Sequence, residues 1–291
     1  MTGDGDAGAW AAAPVALVAT RIRVEERMLL DAFQRRAVPC HHVDDRSLVY
    51  RVGGPPPPWR AVVNRALSAS RRLEVSRWCE AVGTPVLNTP DTLARCDNKI
   101  ATALALHQAG IPVPHTVVAL DPAAGGDAAE EIGFPAVVKP TTGSWGRGVA
   151  RIGDRDAAEA VFELRGQLAS PTQRLGLLQE FRYGRDLRVL VVGGSAVAAI
   201  TRESGHWVRN TGRGARARAY ALDAELASLA ERAAAAVGGG VLGVDLLETD
   251  TGERLVLEVN GAVEFHGLSA AHTDAPIAET IADHVLSGAP G

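Results

Sequence analysis

Cysteine, aromatic residues and long apolar runs are all scarce in this 291-residue sequence, and each scarcity excludes something. The three cysteines, Cys40, Cys79 and Cys96, stand too far apart for a disulfide framework or a zinc site, which leaves reduced thiols. Eight histidines are scattered with no HExxH or other metal-ligand spacing. No apolar run approaches the roughly 18 residues of a membrane span. Residues 1–12 lack the basic start and unbroken apolar region of a secretory signal and read as a flexible tail. The expectation is a cytoplasmic protein with no membrane partner. A net charge of −4 and a pI near 6.1 argue against general nucleic-acid binding. No GxGxxG follows the first strand, and GxxxxGK[ST] is absent, so dinucleotide and Walker-type readings have no support. No internal repeat is evident.

What is present is an ordinary globular composition, 46% hydrophobic and 22% charged, in a chain long enough for two or three packed units. The most informative stretch is Val241 to Phe265, VLGVDLLETDTGERLVLEVNGAVEF. Two apolar β-type runs flank the turn-forming TDTGE, so the pair reads as an antiparallel hairpin. Alternation puts Glu258 and Asn260 on one face and lets Asp245 lie beside them on the neighbouring strand. Two carboxylates and an amide oxygen make a hard oxygen cage suited to Mg²⁺. The alternative is a pair of solvent-facing strand acids.

In chain order, PVALVAT reads as a buried strand and VEERMLLDAFQRRA as a helix, joined by a turn, Thr20-Arg21-Ile22-Arg23, able to present cations to an anion. LVYRVGGPPPPW is a loop, AVVNRAL a strand, and SRRLEVSRWCEAVG a helix ending at Gly83. Strands and helices alternating over roughly 85 residues imply a small parallel α/β domain. CDNKIATALALHQAG reads as a helix with Asp97 near its start and Lys99 in its first turn, where the helix dipole disfavours a cation. GFPAVVKPTTGSWGRGVARI gives a strand bearing Lys139, a glycine-rich loop able to wrap phosphate, and a second strand; the plain-turn reading stays open. RLGLLQEF ends a further strand in Gln179-Glu180, polar groups placed to meet a base or sugar. A hairpin about Gly193-Gly194 carries Asp186, Arg188 and Arg202. From Arg182 to Arg218 eight arginines face only Asp186 and Glu203 in sequence, either a grip for phosphate or carboxylate or a solvated basic face. DAELASLAERAAAAV is a helix capped by Asp223 and stopped by Gly238-Gly239-Gly240.

Lys99, Lys139 with GSWGRG, Gln179-Glu180, Asp186-Leu187-Arg188, Arg202, NTGRG and Glu258-Val259-Asn260 stand in an order and spacing that resemble the ATP-grasp ligases. RIRVEERML, VVKPTTGSWGR, SGHWVRNTGRG and EVNGAVEF are most similar to the RimK-like branch, and within it to the LysX-type amino-group carrier protein ligases; the resemblance runs from about residue 14 to 285.

The resemblance implies an α/β chain, α+β in its ATP-grasp part. Its divisions would be a Rossmann-like pre-grasp domain (13–95), a central lid domain (96–175) and a C-terminal domain with the metal site (176–291). ATP would be held by Lys99, Lys139, Gly143, Ser144, Trp145, Gly146, Arg147, Gln179, Glu180, Phe181 and Asp186, and two Mg²⁺ by Asp245, Glu258 and Asn260. Arg188, Arg202, Asn210 and Arg213 would be catalytic, and Arg21, Asn64, Asn210, Thr211, Glu264 and Phe265 would meet substrate. The implied reaction joins the amino group of an amino acid, such as 2-aminoadipate or glutamate, to the C-terminal glutamate of a small acidic carrier protein through an acyl phosphate. The alternatives are a RimK-like glutamate ligase, a small-molecule peptide ligase, and an ATP-binding sensor without turnover. A homo-oligomer, dimer or tetramer, is also implied. Where LysX-type sequences read EVNHTMEF, this chain has EVNGAVEF, which leaves open an acceptor other than that of lysine synthesis, such as a non-proteinogenic amino acid.

Overall fold

The computed structural model describes residues 13–143, 146–203 and 216–288. The N-terminal part runs β1 (Val15–Val18), α1 (Val24–Arg35), β2 (Cys40–Val43), β3 (Ala61–Asn64), α2 (Ala69–Ala81) and β4 (Val86–Leu87). Its sheet has the order β2-β1-β3-β4, all parallel. β1 and β3 are fully buried and apolar up to Asn64 at the end of β3, as expected of central strands covered on both faces. Ser68 starts α2 by accepting a hydrogen bond from the Arg71 N–H. β2 was not legible beforehand: its sequence, CHHV, is half exposed at the sheet edge and carries no apolar alternation.

Two helices follow where one was expected, α3 (Pro90–Cys96) and α4 (Lys99–Gln108). Asp97 closes the first rather than opening the second. The cap of α4 is Asn98, whose Oδ1 accepts from the N–H groups of Ile100 and Ala101, while Asp97 turns to pair with Arg72. The middle part continues through β5 (Thr116–Ala119), α5 (Gly125–Ile132), β6 (Ala136–Pro140), β7 (Ala150–Ile152), α6 (Arg155–Gly166), α7 (Pro171–Arg174) and β8 (Gly176–Glu180). These strands form an antiparallel sheet, β5-β8-β6-β7, over a core of Ala129, Ile132, Ile152, Phe162 and Leu178. β8 therefore belongs to this sheet although it lies beyond residue 175.

The last part is β9 (Gly184–Val192), β10 (Ser195–Glu203), β11 (Arg216–Tyr220), α8 (Ala224–Val237), β12 (Val241–Thr249), β13 (Arg254–Asn260), α9 (His266–Ala271) and α10 (Ile277–Leu286). Its antiparallel sheet has the order β11-β10-β9-β12-β13. The expected hairpins 184–203 and 241–260 are both present. α8 begins at the Asp223 cap and ends at Gly238, whose φ of 120° lies where a side chain would be strained.

Two cores cross the boundaries between parts. Leu29 and Phe33 of α1 pack with Ile277, Ile281 and Val285 of α10, tying the N-terminal sheet to the C-terminal end. Leu106 of α4 packs with Leu226, Leu229 and Ala233 of α8. A polar latch adds direction. Buried Asn88 donates to the carbonyls of Val241 (2.9 Å) and Gly261 (2.8 Å) and accepts from the Val241 N–H (2.8 Å), so the end of β4 grips both strands of the 241–260 hairpin.

Candidate active site

A cavity of about 950 Å³ is lined by residues from all three sheet units. Its acidic centre follows from strand register. Asp245 on β12 stands opposite Glu258 on β13 and, on its other side, opposite Arg188 on β9. Alternation brings Asn260 to the face of Glu258. The ladder slips by one residue after Asp245, leaving Leu257 as the extra residue of a bulge. Adjacent strand residues normally face opposite ways, yet Leu257 and Glu258 both line the cavity, the kind of re-aiming a bulge allows.

Each carboxylate is held by cations. Arg188 grips Asp245 with two hydrogen bonds, Nε–Oδ1 2.7 Å and Nη2–Oδ2 2.8 Å, and Arg202 Nη1 adds a third at 3.3 Å. Asn260 Nδ2 bridges Asp245 Oδ2 (3.3 Å) and Glu258 Oε1 (3.2 Å). Lys99 Nζ lies 3.1 Å from Glu258 Oε2 and donates to the Gly143 carbonyl at 3.1 Å. The unfavourable placement of Lys99 in the first turn of α4 is thus compensated by Glu258. Burial opposes ionisation of Asp245, but Arg188 and Arg202 outweigh it and hold the carboxyl down to about 2. Glu258 is likewise lowered, burial being overcome by Lys99 and Lys139. Burial also opposes the Arg188 charge, and Asp245 more than restores it. Lys139 is different: burial lowers its pKa against the pull of Glu258, and among the described residues its Nζ donates only to a neutral side chain, Gln179 Oε1 at 2.5 Å. An anionic ligand beside Lys139 would relieve that desolvation.

Toward the middle sheet the wall turns apolar, with Pro114, Val137, Phe181, Leu247 and Leu257. Phe181 meets Tyr183 edge-on, centroids 4.9 Å apart, and Arg151 lies over its ring at 5.0 Å. Glu180 accepts from the His115 N–H at 3.2 Å. A flat base with exocyclic amines fits this end. Cys96 also lines the cavity, but burial pushes its thiol up to about 12, so it supplies no nucleophile near neutral pH. Among the described residues the lining carries nine cationic side chains against six carboxylates, the reverse of the chain's net charge, which suits a polyanion.

Of the residues expected at the site, Lys99, Lys139, Gly143, Gly146, Arg147, Gln179, Glu180, Phe181, Asp186, Arg188, Arg202, Asp245, Glu258, Asn260 and Glu264 all line this one cavity. Ser144, Trp145, Asn210, Thr211 and Arg213 lie outside the described residues. Three substrate assignments do not fit. Arg21 is exposed and off the lining; Arg23, two residues on, faces the cavity instead, bonded to Glu26 and Glu264. Asn64 is buried, donating to the Arg72 carbonyl (2.7 Å) and Ser76 Oγ (3.0 Å), and holds α2 to β3. Phe265 is a core residue, 1% exposed, beneath the Arg65 guanidinium. Arg65 and Arg72 also line the cavity and were missed. The sequence signals at the N-terminal end were the cationic turn Thr20-Arg21-Ile22-Arg23 and the capping-box spacing of Arg23 to Glu26, and neither reaches Arg65 or Arg72. The arginine-rich stretch is less bare than its sequence suggests. Arg182 pairs with Glu253 and Arg185 with Glu248 because the fold brings the β12–β13 hairpin alongside, and Arg218 pairs with Glu203 across the β10–β11 ladder.

Among the described residues no three acid, histidine or cysteine side chains converge as a metal cluster. Asp245, Glu258 and the Asn260 amide are nonetheless an all-oxygen donor set once the amide turns over, and Mg²⁺ typically takes only one or two carboxylates with phosphates and water. The residues present fit that ion.

Comparison with known proteins agrees with this geometry. Residues 96–285 match the model of the RimK-like ATP-grasp domain, and residues 15–95 that of the LysX preATP-grasp domain. The alpha-aminoadipate–LysW ligase LysX of Saccharolobus solfataricus is 36% identical over 206 residues, 70% of this chain and 75% of that protein. The glutamate–LysW ligase ArgX of Sulfolobus acidocaldarius is 28% identical over 282 residues, 93% and 97% of the two chains. The crystal structure of a RimK domain ATP-grasp protein from Sphaerobacter thermophilus superposes with a TM-score of 0.80 at 34% identity, covering 94% of this chain and all of the other.

Proposed function

Because the chain belongs to the RimK-like ATP-grasp family, and is an ATP-dependent ligase forming amide bonds, we propose that its substrates are a free amino acid and the C-terminal glutamate of a small acidic carrier protein. The observation that carries the chemistry is the enclosure of Asp245, Glu258 and Asn260 by Arg188, Arg202, Lys99 and Lys139 in one cavity. The nucleotide's base occupies the Phe181 end, and Lys99 and Lys139 take its phosphates. Asp245, Glu258 and Asn260 would hold two Mg²⁺, and those ions would supply Lewis-acid neutralisation of the phosphate oxygens. Arg188 and Arg202 are aimed at the charge that develops when a substrate carboxylate takes the γ-phosphoryl group, and they need no reorganisation because Asp245 already fixes them. No protein nucleophile is required. The carrier is supported by the two relatives' partner, LysW, and by their amino-acid substrates.

Glu258→Gln tests the assignment. Turnover is expected to fall by on the order of 10²-fold or more while nucleotide affinity stays within a few-fold. Amide formation that survives the substitution would remove the metal role from Glu258.

A further inference from the structure

We infer that Glu264 is the carboxylate that receives the attacking amine. The inference rests on the ligase reading above and assigns one residue within it. An α-amine enters near neutral pH largely as an ammonium ion and cannot attack until it loses a proton, so the acyl end of the cavity needs a carboxylate with one oxygen left open to take it. Of the acids lining the cavity, Asp97 is paired with Arg72, Asp245 with Arg188 and Arg202, and Glu258 with Lys99. Glu180 caps the His115 N–H at the nucleotide end, and Asp186 stands opposite Leu247 on that same side. Glu264 remains. Arg23 Nη1 binds its Oε1 at 3.1 Å, Oε2 has no protein partner among the described residues, and the side chain is 28% exposed.

Its position suits the role. Glu264 is close enough to Arg188 for its charge to add to those of Asp245 and Glu258 there, so it borders the acidic centre. Arg65 Nη1 holds the Val263 carbonyl at 2.6 Å, which ties the segment before Glu264 to the N-terminal part, and Ala66, Leu67 and Ala262 line the same cavity. In the step itself the ammonium gives one proton to the Glu264 carboxylate. The amine nitrogen then forms the C–N bond as the C–O bond to phosphate breaks, and the nitrogen's second proton leaves with the departing phosphate. The products are amide, hydrogen phosphate and a protonated Glu264.

The test separates the two half-reactions. Wild type, Glu264→Gln and Glu264→Asp are given Mg-ATP and a synthetic peptide ending in glutamate, with either a panel of amino acids or hydroxylamine. Hydroxylamine is uncharged near neutral pH and traps an acyl phosphate without a carboxylate's help. Glutamine keeps an oxygen for Arg23, and a thermal midpoint checks folding. The expected result is about a 10²-fold loss of amide formation in Glu264→Gln, hydroxamate formation within about threefold of wild type, and partial recovery in Glu264→Asp. Equal loss of both products, or loss of neither, would overturn the assignment. A wild-type protein that makes neither product would instead sink the ligase reading, and the role of Glu264 with it.

Discussion

Asp245 carries three cationic hydrogen bonds on two oxygens, and its energetics follow from that. Its folded pKa of about 2 lies below the ordinary 3.8, so its stabilising contribution is complete above about pH 4 and is lost as pH falls through about 2. Urea unfolding followed across that window should show a shallower pH slope in Asp245→Asn than in wild type. The variant should also be less stable at neutral pH by about 3–5 kcal/mol, because Arg188 is left buried and unpaired. An unchanged slope would mean the pair does not persist in solution. Single residues were legible where chemistry constrained them twice. Lys99 and Lys139 are the chain's only lysines, and both line the cavity. Arg21, Asn64 and Phe265 were misplaced because a motif marks a neighbourhood while a side chain's direction depends on backbone geometry one or two residues away. At the end of β1 that difference exchanges exposed Arg21 for Arg23.

At the scale of elements, the hairpin of β12 and β13 was readable because alternating apolar runs and a turn signal agree, and it delivers the acidic centre. The bulge that turns both Leu257 and Glu258 toward the cavity has no such signal, nor has the Asn98 break between α3 and α4, where Asp97 is an equally good cap by type. The latch at Asn88 was invisible for another reason: its partners, Val241 and Gly261, are more than 150 residues away and offer only backbone. Asn88→Ala leaves those buried backbone groups unsatisfied and should cost about 2–3 kcal/mol in denaturant unfolding, with a weakened KM for substrates because Gly261 and its neighbours form the cavity wall. A loss below about 0.5 kcal/mol would show that the latch does not join the two parts.

At the scale of the molecule, three sheets with weak claims of their own converge on one cavity whose charge is opposite to that of the chain. Composition does not reveal that reversal, because only the fold decides that Lys139, Arg188 and Arg202 line the cavity while Arg185 and Arg218 pair with Glu248 and Glu203 away from it. On the proposed reading ATP, a carboxylate and an amine meet there, and the most direct test is ADP release. The protein is given Mg-ATP with a synthetic acidic peptide ending in glutamate, against a panel of free amino acids. Release that requires both the peptide and one particular amino acid is the predicted result. Release with amino acids alone, or none at all while ATP remains bound, would contradict it.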